Sequence, residues 1–229
     1  MITTSFITKE SVQQNVDIVD CLYRSYLRYT GPYVGFPEKQ DLLRTLWSEA
    51  EAGGGETPAS YRTFLVAAED SVSPFCFVGG VWYPASGAAF VECVCRKKPV
   101  VYAKQGATLL AKAMERLSSV GVKEFYMPVP DPDDKAVRSP LPSMPAERLL
   151  EWVTGMGFHP LSFDFRTPPM DAKGRLHEGY LLLRHGGSTA SFSSVVRCLG
   201  EEYRRLGANP LMAAETIYKT ANFDHTRIY

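Results

Sequence analysis

Residues 102–117 read YAKQGATLLAKAMERL, a stretch that starts like a loop and continues as a helix, with Gly106 at the join. Four cations lie at or just before that join: Arg96, Lys97, Lys98 and Lys104. The start of a helix offers free N–H groups and a positive dipole end, and a glycine lets an anion approach the backbone closely. The stretch therefore predicts either a cradle for a phosphate-bearing cofactor or the start of an ordinary surface helix.

Strand-like and helix-like segments alternate along the rest of the chain. Apolar alternation or β-branched residues mark predicted strands at residues 2–8, 61–69, 75–84, 88–97, 123–130, 161–167 and 179–186. Apolar residues recur at helical spacing in predicted helices at residues 16–29, 37–52, 103–119, 146–158, 189–206 and 210–221. The predicted buried face of the second helix consists of Leu42, Leu43, Leu46 and Trp47. This order of elements predicts an α/β (α+β) fold with one central mixed sheet covered on both faces.

The composition predicts a folded intracellular protein. Of the 229 residues 45% are hydrophobic, and 25 basic residues balance 25 acidic ones. A net charge of zero does not favour nucleic-acid binding. The N-terminus does not resemble a signal peptide, and no apolar run approaches the ~18 residues of a membrane span. We therefore expect a cytoplasmic protein without a membrane partner.

The cysteines predict buried thiols and no metal site. The five of them are scattered without a Cys-x-x-Cys pair, and the four histidines are not spaced to complete a zinc site. Cys93 and Cys95 alternate along a predicted strand whose other face carries Glu92 and Val94. Only one of these two pairs can face a cleft.

The order of elements over residues 1–186 resembles that of the GNAT superfamily of N-acetyltransferases. Residues 102–117 resemble the phosphate-binding turn and helix of that family, and LLEWVTGMGFHP, residues 149–160, resembles the end of its last main helix. The resemblance implies a mostly antiparallel sheet. It also implies transfer of an acetyl or longer acyl group from acetyl-CoA or another acyl-CoA to an amine of a small molecule or a protein.

The resemblance also implies a set of site residues. The N–H groups of residues 104–108, Lys104, Gln105, Gly106, Ala107 and Thr108, would hold the pyrophosphate, with Arg96 near the outer phosphates. The strand near Val94 and Cys95 would pair with the pantetheine arm. Glu92 would accept the proton of the amine; the alternative is an outward-facing strand residue or a structural ion-pair partner. Tyr126 would donate a proton to the leaving thiolate; the alternative, which we favour, is packing in the core.

A second interpretation stays open beside the enzyme, namely a non-catalytic protein of the same fold that serves in a larger assembly. Val153 stands where many family members carry a tyrosine that protonates the thiolate, and the glycine motif around Gly106 lacks one family residue. We favour the enzyme because the order of elements is intact and cations lie near the turn.

Residues 187–229 lie outside the resemblance and form an expected C-terminal helical extension. A single apolar stripe runs along the predicted helix at 189–206: Phe192, Val195, Val196, Leu199 and Tyr203. A stripe of this kind must be buried, either against the protein's own domain or against another subunit in a homo-oligomer or larger assembly. We expect it to pack against the protein's own domain.

Overall fold

The chain folds as two compact units in the computed structural model. One unit comprises residues 1–31 and 36–122, and the other comprises residues 32–35 and 123–229. The structure describes these residues: 3–13, 16, 19–20, 23–24, 39–48, 60–69, 74–96, 103–131, 146–161, 165–167, 177–185, 192–206 and 211.

The first unit is built on an antiparallel sheet in which consecutive strands are neighbours. Its elements are β1 (Thr3–Phe6), α1 (Lys9–Val12), α2 (Lys39–Thr45), β2 (Arg62–Glu69), β3 (Pro74–Tyr83), β4 (Ala88–Arg96) and α3 (Ala103–Ser119). The predicted strands at 61–69, 75–84 and 88–97 are confirmed to within a residue or two, and the predicted helix at 103–119 is confirmed with its bounds.

Helix α3 packs against β2, β3 and β4. One face of the helix is apolar and buried: Leu109, Leu110, Ala113, Met114 and Leu117. These residues recur at the spacing that places side chains on one side of a helix, which is why this segment docks on the sheet. The Arg116 guanidinium lies 5.2 Å from the centre of the Trp47 ring, and the rings of Phe6 and Trp82 are each nearly perpendicular to that ring.

Helix α2 ends earlier than the sequence predicts. The spacing of apolar residues predicted a helix through residue 52, but α2 ends at Thr45 and Leu46 forms a parallel bridge to Thr63. The Trp47 N–H donates to the Thr63 carbonyl at 2.8 Å, and the Trp47 carbonyl accepts from the Lys9 N–H at 3.0 Å. Leu46 and Trp47 are buried as predicted, but as an extension of the sheet, because backbone pairing with β2 replaces the next helical turn.

The second unit is built around a long strand that pairs antiparallel with three others. Its elements are β5 (Glu124–Pro130), α4 (Ala146–Gly155), β6 (His159–Pro160), β7 (Phe165–Thr167), β8 (His177–His185) and α5 (Phe192–Arg205). Strand β8 pairs with β5, β6 and β7, and α4 contacts β5.

Helix α5 confirms the prediction that the apolar stripe of the C-terminal segment is buried against the protein's own fold. Ser194 on α5 donates a hydrogen bond to Glu124 on β5 within the same unit. The buried residues of α5 are Val195, Cys198, Leu199, Glu202 and Tyr203. Val196, which the prediction placed in the stripe, is only half-buried, and the side chain of Phe192 lies outside the described part. The buried face is therefore rotated toward Cys198 and Glu202.

Two predicted helices fall largely outside the described residues. In the segment 16–29 the described positions 16, 19, 20, 23 and 24 are helical, and Val19 is buried. In the segment 210–221 only Leu211 is described. Within the described residues, no helix is both long enough and apolar enough to cross a membrane.

Candidate functional site

Strand β4 contains a bulge at Glu92. Cys93 lies opposite Gly79 on β3 and Val91 lies opposite Gly80, so Glu92 is an extra residue with no counterpart across the ladder. A bulge of this kind bends the strand and re-aims a side chain, and bulges are frequent beside active sites. Glu92, the candidate general base, therefore sits at the one irregular position in the β3–β4 pairing.

The bulge corrects the expected alternation along β4. Phe90 pairs with Val81 and Cys93 pairs with Gly79, and positions 79 and 81 of β3 share a face of the sheet. Phe90 and Cys93 therefore also share a face, although they are three residues apart. Strict alternation would have placed Val91 on the face of Cys93, but its register puts it on the opposite face. The prediction that Glu92 shares a face with Val94 assumed a regular strand, and the bulge at Glu92 removes that basis.

The surroundings of Glu92 are mixed. Its neighbours Val91 and Cys93 are buried, whereas Glu92 as a whole is half-buried, with Oε2 shielded from solvent. The predicted cofactor-contacting residue Val94 is half-buried on the same strand. A partly exposed carboxylate can exchange protons with a substrate, which a fully enclosed one cannot do as readily.

The segment that is predicted to bind a phosphate, residues 104–108, is part of α3 itself. The helix begins at Ala103, so Gly106 lies in its first turn, where it is buried; Ala107 is half-buried and Thr108 is exposed. An α-helix that begins there leaves the N–H groups of its first turn, those of Ala103, Lys104 and Gln105, without partners in the helix. Two residues of the predicted donor set, Lys104 and Gln105, therefore lie in the turn where free N–H groups occur, and the contacts of Gly106, Ala107 and Thr108 stay predictions.

Several predicted cofactor contacts fall outside what is described. The side chains of Cys95, Arg96, Lys104 and Gln105 lie outside the described part, as do Lys97 and Lys98 entirely. Their backbones place Arg96 at the end of β4 and Lys104 in the first turn of α3. Their roles toward a phosphate therefore stay predictions.

Tyr126 occupies a different environment from the one that a general acid needs. It is 0% exposed, and its hydroxyl donates to Glu124 Oε2 at 2.8 Å. Burial, with smaller contributions from Cys198 and Glu124, raises the pKa of the Tyr126 phenol. A phenol enclosed in this way agrees with the alternative that Tyr126 packs in the core, and its role as an acid stays a prediction.

A buried polar cluster between β5 and α5 was not found from the sequence. Glu124 Oε2 accepts hydrogen bonds from Tyr126 and from Ser194, the latter at 2.7 Å. About two turns further along α5, Glu202 forms a two-point ion pair with Arg205, at 3.0 and 2.7 Å. Ser194, Cys198 and Glu202 follow one another at intervals of four residues, a spacing that places them on one helix face. That spacing was the available signal.

The position of the missing acid is apolar and closed. Val153 on α4 is fully buried, and its carbonyl accepts the N–H groups of Met156 and Phe158, which ends the helix. Within the described residues, no cluster of three or more His, Cys, Asp or Glu side chains is arranged to hold a metal ion.

The chain has the fold of the GNAT acetyltransferases. A protein named a probable acetyltransferase from Staphylococcus epidermidis superposes with a TM-score of 0.51 at 10% identity, over 82% of this chain and 100% of that one. A protein assigned to the GNAT family from Bacteroides thetaiotaomicron superposes with a TM-score of 0.53 at 15% identity, over 88% and 96%. No family model and no curated protein matches the sequence.

A third similar structure was solved with a ligand. A protein named a putative acetyltransferase from Salmonella typhimurium, with its cofactor acetyl-CoA, superposes with a TM-score of 0.52 at 11% identity, over 83% of this chain and 97% of that one. The similarity of the three structures confirms the predicted α/β (α+β) fold class, and it establishes the fold only.

Proposed function

We propose that the chain is an acyl-CoA-dependent N-acyltransferase that moves an acetyl group to an amine of a small molecule or a protein. The bulge in β4 carries this proposal, because it sets a half-exposed carboxylate, Glu92, out of the ladder in a chain with the GNAT fold. The Salmonella protein with this fold binds acetyl-CoA, which supports the same class of donor here.

The residues at the start of α3 fit the phosphate end of an acyl-CoA. The helix leaves the N–H groups of Ala103, Lys104 and Gln105 without helical partners, and its dipole favours an anion at this end. Gly106 adds no side chain on the first turn. In the proposal, these N–H groups bind the pyrophosphate, and β4 near Val94 and Cys95 pairs with the pantetheine arm.

The proposed reaction needs one base from this chain. The amine nitrogen attacks the thioester carbonyl, a C–N bond forms, and Glu92 takes the proton that the nitrogen loses. The C–S bond then breaks, and the thiolate of CoA leaves and is protonated by solvent. Tyr126 has a structural role in this scheme because its hydroxyl is committed to Glu124. Holding the two reactants together contributes up to about 7–11 kcal/mol in ideal cases, so an internal acid is not required.

A panel of amines incubated with acetyl-CoA tests the proposal, with the acetylated product detected by mass spectrometry. The variant Glu92→Gln keeps the size of the side chain and removes the base, and Glu115→Gln on the exposed side of α3 is the matched control. We expect Glu92→Gln to lower the rate about 10²–10⁴-fold and Glu115→Gln to leave it unchanged. Equal rates for wild type and Glu92→Gln would reject Glu92 as the base.

A non-catalytic role in an assembly is the second candidate. The closed, apolar site at Val153 favours it, because that site offers no proton to a leaving thiolate. Failure of every amine and every acyl-CoA to react, with a folded protein, would favour this candidate.

A further inference from the structure

Two consecutive glycines occupy the middle of β3, a strand paired on both sides. Gly79 and Gly80 lie between β2 and β4, opposite Leu65 and Phe64 on one side and opposite Cys93 and Val91 on the other. A glycine inside a strand weakens it, and its presence signals a bulge or a close backbone approach. Here both signals coincide, because the register shift that leaves Glu92 unpaired falls between these two glycines.

The two glycines differ in what a side chain would meet. A Cβ at Gly80 would overlap the carbonyl oxygen of Phe90, a backbone atom of the bulged strand, and would lie 2.9 Å from Cζ of Phe64. A Cβ at Gly79 would lie 3.1 Å from Sγ of Cys93 and 3.3 Å from Cδ1 of Leu65. Those last two atoms end side chains and can move by a few tenths of an ångström, whereas the Phe90 carbonyl moves only with β4.

We infer that Gly80 is a positioning residue for Glu92: the missing side chain lets β4 bulge toward β3, and the bulge sets the place of the Glu92 carboxylate. Gly80 touches no substrate and acts only through the strand it faces. The inference rests on the proposed function for its catalytic consequence, but its structural part is independent of that function. Gly79, one residue away on the same strand, has no such role, because side chains and not the β4 backbone limit its space.

The structural part predicts a coupling between Gly80 and the extra residue. Deleting Glu92 leaves Phe90, Val91, Cys93 and Val94 in simple alternation, with each residue on the face that it occupies now. A regular β3–β4 ladder leaves room for a Cβ on the β4 side, so the overlap with the Phe90 carbonyl should disappear, whereas the close contact with the Phe64 ring on β2 remains. Gly80→Ala should therefore cost clearly more stability in the full chain than in the chain that lacks Glu92.

A double-mutant cycle on melting temperature measures that coupling. We expect Gly80→Ala to lower the Tm of the full chain by several degrees and that of the Glu92-deleted chain by clearly less, because only the contact with the Phe64 ring remains there. Gly79→Ala should shift both chains equally. If the Gly80→Ala variant fails to fold in the full chain but folds in the chain that lacks Glu92, the coupling is confirmed in its strongest form. Equal shifts in the two chains for Gly80→Ala would overturn the inference.

The catalytic part is tested on the full chain with acetyl-CoA and an accepted amine. Gly80→Ala should lower kcat about 10-fold or more with KM for acetyl-CoA within about twofold, and should displace the acidic limb of the pH–rate profile that Glu92 produces. In a Glu92→Gln background, Gly80→Ala should lower kcat no further. Gly79→Ala in the otherwise wild-type chain should keep kcat and KM within about threefold of wild type.

An unchanged pH profile and an unchanged kcat in a folded Gly80→Ala variant would overturn the catalytic part of the inference, while the Tm cycle stands on its own. A wild-type chain without any transfer activity would overturn the proposed function and this catalytic part together, but not the coupling of Gly80 to the bulge.

Discussion

Ser194 on α5 and Tyr126 on β5 donate hydrogen bonds to the same oxygen, Oε2 of Glu124, at 2.7 and 2.8 Å. A single buried carboxylate thereby joins the C-terminal helix to a strand of its unit. Glu124 and Tyr126 are more than nine-tenths buried, so losing one member of this cluster leaves polar groups without partners in a dry environment. The cluster is expected to hold α5 in place.

Removing the shared carboxylate should destabilise the protein. Glu124→Ala leaves the Tyr126 and Ser194 hydroxyl groups without their acceptor, and we expect a loss of about 1–3 kcal/mol in the free energy of unfolding. Urea titration followed by circular dichroism measures it. Ser193→Ala, at the exposed neighbouring position, is the control and should change stability by less than about 0.5 kcal/mol. An equal loss in both variants would show that Glu124 does not anchor the helix.

The apolar contacts of α5 should count for more than its hydrogen bonds. Leu199 is fully buried whereas Val196 on the same helix is half-buried. We expect Leu199→Ala to cost about 2–5 kcal/mol and Val196→Ala clearly less. Deleting residues 188–229 should give an insoluble or unfolded chain. A soluble, folded monomer after that deletion, measured by sedimentation and circular dichroism, would instead mean that α5 serves a partner.

Tyr126 provides a test of pH dependence with a definite sign. Its pKa is raised by burial, so the folded state holds the phenolic proton to higher pH than the unfolded state, where the phenol titrates near ~10. Stability from this group is therefore complete below about pH 10 and is lost as the pH rises above it. The slope above pH 10 should reach about 1.4 kcal/mol per pH unit for one proton, and Tyr126→Phe should remove that share. Identical slopes in the two proteins would contradict the buried position of the phenol.

The same variant separates a structural tyrosine from a catalytic one. If Tyr126 only supports Glu124, Tyr126→Phe should lose about 1 kcal/mol of stability and keep the transfer rate and its alkaline limb. A fall of about 100-fold in kcat with loss of that limb would restore Tyr126 as the acid.

The sequence predicted the elements better than their pairing. The bounds of α3 follow from local spacing, because its buried residues lie on one helix face. The bulge at Glu92 could not be predicted in this way, since it arises from the close approach of Gly80 on β3 to the backbone of β4. The early end of α2 has a similar origin, because the Trp47 N–H bonds a carbonyl on β2.

The candidate site was predicted by residue type more than by environment. Glu92 was chosen as a carboxylate on a central strand, and the structure adds the irregular position that makes it distinctive. Tyr126 was chosen for its type, but only the structure shows Glu124 within hydrogen-bond distance of its hydroxyl. The prediction of the buried stripe of α5 counted apolar residues only. It therefore included Val196, which is half-buried, and omitted Glu202, which is polar and buried.

Gly106 should be sensitive to the smallest possible addition. Alanine favours a helix by about 1 kcal/mol over glycine, so Gly106→Ala should not unfold α3 through backbone propensity. If the first turn of α3 binds a pyrophosphate, the added methyl group should weaken acetyl-CoA binding by about tenfold, or 1.4 kcal/mol. Ser118→Ala, exposed at the other end of the same helix, is the control. Unchanged affinity in Gly106→Ala would place the phosphates elsewhere.

The central claim is that this chain uses an acyl-CoA, and calorimetric titration of the purified protein with acetyl-CoA tests it most directly. We predict saturable heat with a dissociation constant between micromolar and millimolar, about −8 to −4 kcal/mol, together with a rise in Tm. No heat and no shift in Tm at millimolar acetyl-CoA, with protein that is folded by circular dichroism, would contradict the claim.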